Sequence, residues 1–195
     1  MLQLAHEQNI CRLNRESQKT IRRFYDVIHN WAHSERVASN AHLIADSIGY
    51  KRDKDFLELC ALWHDAARTQ GFVEGHEEEG ALMAQKDLLQ HGIAKETAER
   101  AYTAIRFHKS SSNPTTIEGK IIRDADKLDI FAVTRWEQCA EAGWIKEYAD
   151  DFRRTVAAHG KYPDAFTYNY TKQQFMERLP KFLQYYESVK DQLPE

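Results

Sequence analysis

Apolar residues in this chain return every three or four positions, the spacing of a helix that buries one face. Over about residues 7–28 they are Ile10, Leu13, Ile21, Phe24, Tyr25 and Ile28, set in an otherwise polar stretch. Asn30 then offers an N-cap. His33, Val37, Ala41, Ile44 and Ile48 step by four, four, three and four, so the core face of a second helix includes a histidine. Gly49 marks its end. Asp53 can cap a third helix, FLELCALW, which is apolar almost all round, as a buried helix is. It closes on His64 and Asp65. RTQGFVEG, with Gly71 and Gly75, reads as a loop.

A fourth helix opens near His76, runs through Ala81, Leu82, Ala84, Leu88 and Leu89, and stops at Gly92. Glu77, Glu78 and Glu79 fill its first turn, where the helix dipole favours carboxylates, so Glu77 and Glu78 read as a solvated face. Glu79 shares the face of His76. In the fifth helix Ala98, Ala101, Ile105 and His108 form the buried stripe. SSSNPTT is a loop, and Thr115-x-x-Glu118 is a capping-box pattern for a sixth helix. There Ile122, Asp126 and Asp129 share one face, and Asp124 points away from Asp126. Residues 136–148 and 152–158 read as helical, and KYPDAFTYNY as an aromatic-rich loop. Thr171-x-x-Gln174 repeats the capping box, and Pro180 suits the first turn of a last helix carrying Phe182, Tyr185, Tyr186 and Val189.

Strand-like alternation is missing, and glycine and proline are scarce (8 and 4). The fold expected is an all-α, compact helical bundle. A chain of 195 residues without internal repeats or low-complexity tracts fits a single domain over 1–195. Its 42% apolar and 29% charged residues are ordinary for a globular protein. A net charge of −3 supplies no electrostatic reason to expect nucleic acid as a partner. No apolar run reaches the roughly 18–20 residues a bilayer span needs, and no signal-peptide h-region is visible, so no membrane role is expected. Cys11, Cys60 and Cys139 are odd in number and widely spaced, which argues against a disulfide framework and for the cytoplasm.

The candidate chemistry begins at Asp65. A carboxylate buried at the end of an apolar helix costs several kcal/mol or more unless something compensates it. A metal ion is one such partner. His33, on its own, is equally a core histidine satisfied by a carbonyl. Together, however, His33, His64, Asp65 and Asp126 put two imidazoles and two carboxylates on the inner faces of three helices. That mixed set suits Mn, Fe, Co, Ni, Zn or Mg, and it leaves positions for water and substrate. Such a site acidifies bound water and polarises a phosphoryl oxygen. Arg36, Arg68, Lys109 and Lys127 adjoin the ligand positions and are candidates for gathering substrate charge. Asp129 or Glu79 could relay a proton or orient water.

HNWAHSERV (29–37), ALWHDAAR (61–68), HEEEGA (76–81), IRFHK (105–109) and RDADKLD (123–129) resemble the successive motifs of the HD-domain superfamily of metal-dependent phosphohydrolases, in its bacterial stand-alone branch. The resemblance covers about residues 25–135 and leaves 136–192 to shape the pocket. It implies an enzyme that hydrolyses a phosphate ester or phosphoanhydride of a nucleotide or small phosphorylated metabolite by metal-activated water. Carried over by position, His33, His64, Asp65 and Asp126 are the metal ligands, with Asp65 and Asp126 also counted as catalytic.

Some members hold a second metal through additional histidines, and His76 and His108 match those in order. The interval from Asp65 to His76 is short for a bridged pair. One ion is therefore expected, with His76 and His108 contacting substrate or packing in the core. His29 lies just outside the helix start, in a capping or supporting position. Two other readings stand beside it: a di-iron oxygenase, similar in ligand order, which needs His76 and His108 as ligands, and a non-catalytic ligand-sensing module, which fits less well because no expected primary ligand is missing.

Overall fold

The computed structural model describes residues 28–194 apart from 52, 73 and 110; the helix expected over 7–28, save its last residue, and Cys11 lie outside the described residues. The Asn30 side chain accepts the His33 amide and starts α1 (Trp31–Ser47); the Asp53 side chain accepts the Phe56 amide and starts α2 (Lys54–Trp63). A 3₁₀ turn (Ala66–Gln70) leads to α3 (His76–Gln90), followed by α4 (Lys95–Arg106), α5 (Ile117–Asp129) and α6 (Val133–Glu141). The chain closes with α7 (Ala149–Ala158), the single turn α8 (Tyr162–Ala165) and α9 (Asn169–Val189). Among the described residues there is no strand, and no helix is long and apolar enough to cross a membrane.

Two apolar clusters make the interior. The first joins α1 to α5 through Val37, Ala41 and Ile44 of α1, Phe56, Leu57 and Cys60 of α2, Ala81 and Ala84 of α3, Ala101 and Ile105 of α4, and Ile121 and Ile122 of α5. Alanine dominates several of these faces, which lets the helices approach closely. The second gathers aromatic rings from the C-terminal part. Trp136 stacks on Phe152 with ring centroids 4.0 Å apart, and Phe131 meets Phe175 and Phe182 edge to face.

α3 reaches α2 through Gly80. A Cβ there would stand 3.2 Å from the Trp63 carbonyl oxygen and 3.3 Å from that of His64, so only a bare backbone fits without displacement. This contact sets the start of α3, and with it His76, beside the end of α2.

Several local expectations are corrected. Ile48, Leu82 and Leu89 are exposed, at 39%, 43% and 46%, because the buried arcs of their helices are narrower than the apolar pattern. The cap of α5 is Thr116, which accepts the Gly119 amide; Thr115 lies one residue too early. Glu77 and Glu78 are half-buried rather than a solvated face, since α4 packs along α3: Glu78 meets Tyr102 and Arg106, and Glu77 meets His76 and Lys109. The helix expected over 136–148 ends at Glu141, and Gly143 takes a left-handed φ of 81°.

The capping box at Thr171 is not used. α9 starts earlier, at Asn169, and runs through Pro180. Proline in a helix interior removes one hydrogen bond and costs about 3 kcal/mol. The missing N–H would have faced Met176, which is 59% exposed, while Phe175 and Phe182 are buried on the opposite side and keep the helix in place. The N-terminus of α9 is held from outside the segment: the buried Asp124 carboxylate accepts the amides of Thr167 and Tyr168.

Candidate metal centre

The candidate ligands sit at helix ends. His33 is in the first turn of α1, His64 caps the end of α2 and Asp65 follows it, and Asp126 lies in the last turn of α5. Three helices thus aim at one point. His33 Nε2 is 3.1 Å from His64 Nε2, 3.6 Å from Asp65 Oδ2 and 3.5 Å from Asp126 Oδ1. His64 Nε2 is 3.4 Å from Asp65 Oδ2 and 3.7 Å from Asp126 Oδ1. His33, His64 and Asp65 are buried, and the Asp126 side chain is 21% exposed, which leaves the cluster open on one side.

Hydrogen bonds on the far side of each ring decide what faces the centre. His64 Nδ1 lies 2.6 Å from the Ala61 carbonyl oxygen, and His33 Nδ1 lies 2.7 Å from Asp129 Oδ2. Both acceptors assign the ring proton to Nδ1 and leave Nε2 with a bare lone pair toward the centre. Two such lone pairs at 3.1 Å, flanked by two carboxylate oxygens, repel one another unless a cation lies between them. Bonds of roughly 2.1 Å at tetrahedral or octahedral angles place neighbouring donors roughly 3.0–3.4 Å apart, close to the separations observed. The donor set fits a divalent metal ion.

Without such an ion, protons take its place. Burial opposes a charged His64, but Asp65 and Asp126 together outweigh it and raise its pKa to about 10. Burial likewise opposes charge on Asp65 and Asp126, and the facing imidazoles override it and hold both carboxyls below their usual range.

A second group adjoins the first through Asp65. Its Oδ1 lies 3.2 Å from His76 Nε2 and 3.8 Å from His108 Nε2, so Asp65, His76 and His108 could also surround a cation. Arg68 already reaches into that group. Its Nε donates to Asp65 Oδ1 at 3.0 Å, and its Nη2 is 3.2 Å from His76 Nε2. The His108 ring is tied to the Ile105 carbonyl oxygen, and burial, reinforced by the charge on His64, lowers its pKa to about 4.

The other expected residues are more scattered. Asp129 is fully buried and takes His33 Nδ1–H, Arg36 at both oxygens and Arg135 Nη1, an arrangement that supports His33 rather than facing the open side. Arg36 is turned to Asp129 and Gln138. Lys109 is exposed beside Glu77. Lys127 is buried, and burial pulls its ammonium below the usual range. Glu79, half-buried on α3, belongs to none of the donor groups.

A cavity of about 630 Å³ opens beside the cluster, lined among others by His29, Arg68, Arg135, Trp136, Tyr148, Arg154 and Tyr162. Sequence reasoning missed Arg135 and Arg154. Arg135 stands six positions beyond Asp129, across the break between α5 and α6, so no helical period connects it to the site.

The HD domain family model matches residues 30–130, the span that contains every candidate ligand. The chain belongs to the HD domain family. YpgQ of Bacillus subtilis is 32% identical to it over 107 residues, which is 52% of this chain and about half of YpgQ. The crystal structure of YpgQ in complex with ADP superposes with a TM-score of 0.67 at 26% identity, over 100% of this chain and 98% of that one. A predicted HD superfamily hydrolase from an uncultured Thermotogales bacterium, also solved by crystallography, gives 0.63 at 26% identity, over 96% and 92%. The HD-type, all-α fold is thus shared over nearly the whole chain with solved structures.

Proposed function

We propose that this HD domain is a metal-dependent phosphohydrolase acting on a nucleotide or another small phosphorylated molecule. The observation that carries the reading is the convergence of His33 Nε2, His64 Nε2, Asp65 Oδ2 and Asp126 Oδ1, next to a cavity whose lining includes Arg68 and Arg135, each in contact with one of these ligands. The relatives support it: one is described as a predicted HD superfamily hydrolase, and YpgQ was solved with ADP. A cavity of this volume suits a nucleotide-sized ligand, and Trp136, Tyr148 and Tyr162 offer aromatic walls.

His33, His64, Asp65 and Asp126 would hold the ion. A divalent cation so placed supplies an acidified water and polarises a phosphoryl oxygen. The chain's own residues do the rest. Asp129 orients His33 through Nδ1 and, as a carboxylate partner, makes it a better ligand. Arg68 carries a fixed positive charge to the rim, with His76 and His108 beside it. Residues of α7 and α8 wall the cavity together with Arg135 and Trp136 of α6.

The second donor group favours a rival reading, a dinuclear centre used for oxygen chemistry. The Arg68 guanidinium touches two of its three members, and a cationic side chain there competes with a second metal ion. We therefore assign one ion. The purified chain, analysed for metal and then assayed against nucleoside mono-, di- and triphosphates with Mn²⁺, Co²⁺, Ni²⁺ or Mg²⁺, should bind about one equivalent and release phosphate or pyrophosphate. Two irons with dioxygen consumption would support the rival instead. Bound metal without turnover of any phosphate compound would leave a sensing module.

A further inference from the structure

Arg135 has more hydrogen-bonding capacity than its surroundings use. It is 6% exposed and lines the cavity beside the metal centre. Its Nη1 lies 3.2 Å from Asp129 Oδ2 and 2.8 Å from His33 Nδ1, and its Nη2 lies 3.3 Å from His29 Nε2. Its Nε has no hydrogen-bond partner among the described residues.

The contact with His33 is a poor one. The ring nitrogen concerned carries the proton it donates to Asp129 at 2.7 Å, so Nη1 meets a second donor rather than an acceptor. Asp129 is shared as well, since Arg36 engages both of its oxygens. A guanidinium is always charged and presents five N–H groups. Burying it with one N–H orphaned and another facing a donor leaves part of its desolvation uncompensated.

The cavity supplies what is missing. Arg68 and Arg154 line it too, and the carboxylate among its lining residues, Asp151, is paired to Arg154. Three arginines and one carboxylate are thus among the lining residues, and Arg135 is the most buried of the three arginines.

We propose that Arg135 is the ligand-binding arginine of this cavity, taking a phosphate-type dianion on the edge formed by Nε–H and Nη2–H. This rests on the phosphohydrolase reading for its biological meaning, but the binding itself does not require turnover. Two parallel N–H···O bonds from that edge match a phosphoryl group in geometry, and they give the orphaned Nε its acceptor. Arg68 lines the same cavity, so a phosphate held by Arg135 would have a second guanidinium in the same lining.

The test is titration of inorganic pyrophosphate into the chelator-treated full chain by calorimetry. It is run on the wild type, Arg135→Gln and Arg135→Lys, with Mn²⁺ affinity and melting temperature measured in parallel. Wild type should bind pyrophosphate. Arg135→Gln should weaken that binding about 10- to 100-fold, the range of charge-assisted hydrogen bonds, and Arg135→Lys should recover only part of it. In the ¹⁵N-labelled wild type, the Arg135 Nε–H resonance, assigned by its loss in Arg135→Lys, should shift on adding pyrophosphate. This last measurement decides the matter even where Arg135→Gln fails to fold.

A purely structural role predicts a lower melting temperature and weaker Mn²⁺ binding, with pyrophosphate affinity unchanged within twofold and the Nε–H resonance unmoved. That pattern, or a wild type blind to pyrophosphate, overturns the proposal. Pyrophosphate binding that depends on Arg135, in a protein that hydrolyses no phosphate compound, would reject the hydrolase reading and leave this one standing.

Discussion

Arg36 and Asp129 form a two-point ion pair directly behind His33: Arg36 Nε lies 2.7 Å from Oδ1 and Nη2 lies 3.2 Å from Oδ2 of a carboxylate with no exposure. Burial opposes the charge on Asp129, and His33 and Arg36 hold its carboxyl well below the usual range nonetheless. Arg36→Ala should therefore destabilise the fold by about 3 kcal/mol, since it strips a partner from a buried charge. Arg36→Lys should not restore the loss, because an ammonium cannot reproduce the fork. Urea unfolding of the three proteins measures both effects. Asp129→Asn should lower Mn²⁺ affinity about 10- to 100-fold by withdrawing support from His33.

His64→Ala and Asp65→Ala should each abolish Mn²⁺ binding while leaving a helical protein. Each change also breaks the His64–Asp65 pairing of the metal-free protein, so some stability is lost together with the metal site. Equilibrium dialysis with metal analysis and circular dichroism reads the two halves of this expectation. Full metal occupancy in the double variant would refute the ligand assignment.

The proton on His64 makes the metal-free protein sensitive to pH. Its folded pKa, about 10, exceeds the ordinary 6.5. The unfolded chain thus gives up that proton first as pH rises. The linked stability is fully present below pH 6.5 and is lost progressively as pH climbs toward 10. A bound metal ion displaces the proton and removes this slope. Melting temperatures between pH 6.5 and 9 should fall steadily in the chelated protein and stay nearly level with saturating Mn²⁺. Parallel curves would contradict it.

Gly80→Ala should destabilise the protein although alanine is the better helix former by roughly 0.5–1 kcal/mol. The added methyl would press on the carbonyl oxygens of Trp63 and His64 at 3.2 and 3.3 Å and push α3 away from α2. His76 would then move from Asp65. Chemical unfolding, together with the chemical shift of His76, tests this; a stabilised variant would show that the helices part without cost.

Asp124→Ala should free the N-terminus of α9, because the amides of Thr167 and Tyr168 lose their acceptor. A cap of this kind contributes about 1–2 kcal/mol. Amide exchange should accelerate at these two residues and along the first turn of α9, while the exchange of α1 and α2 stays as it was.

Much of the arrangement was readable along the chain. The helical class, the caps at Asn30 and Asp53, and the inward facing of His33 and His64 all follow from local periodicity and short-range hydrogen bonding, which depend on residues three or four apart. Asp126 was legible for the same reason, as was Asp124 on the opposite face. What covers that opposite face was not: α9 arrives from more than forty residues downstream and turns Asp124 into its cap. Arg135, the pairing of Arg36 with Asp129, the need for Gly80 and the continuity of α9 through Pro180 were likewise decided by tertiary contacts. Periodicity fixes which way a side chain points from its own helix, and only packing between helices fixes what it meets there.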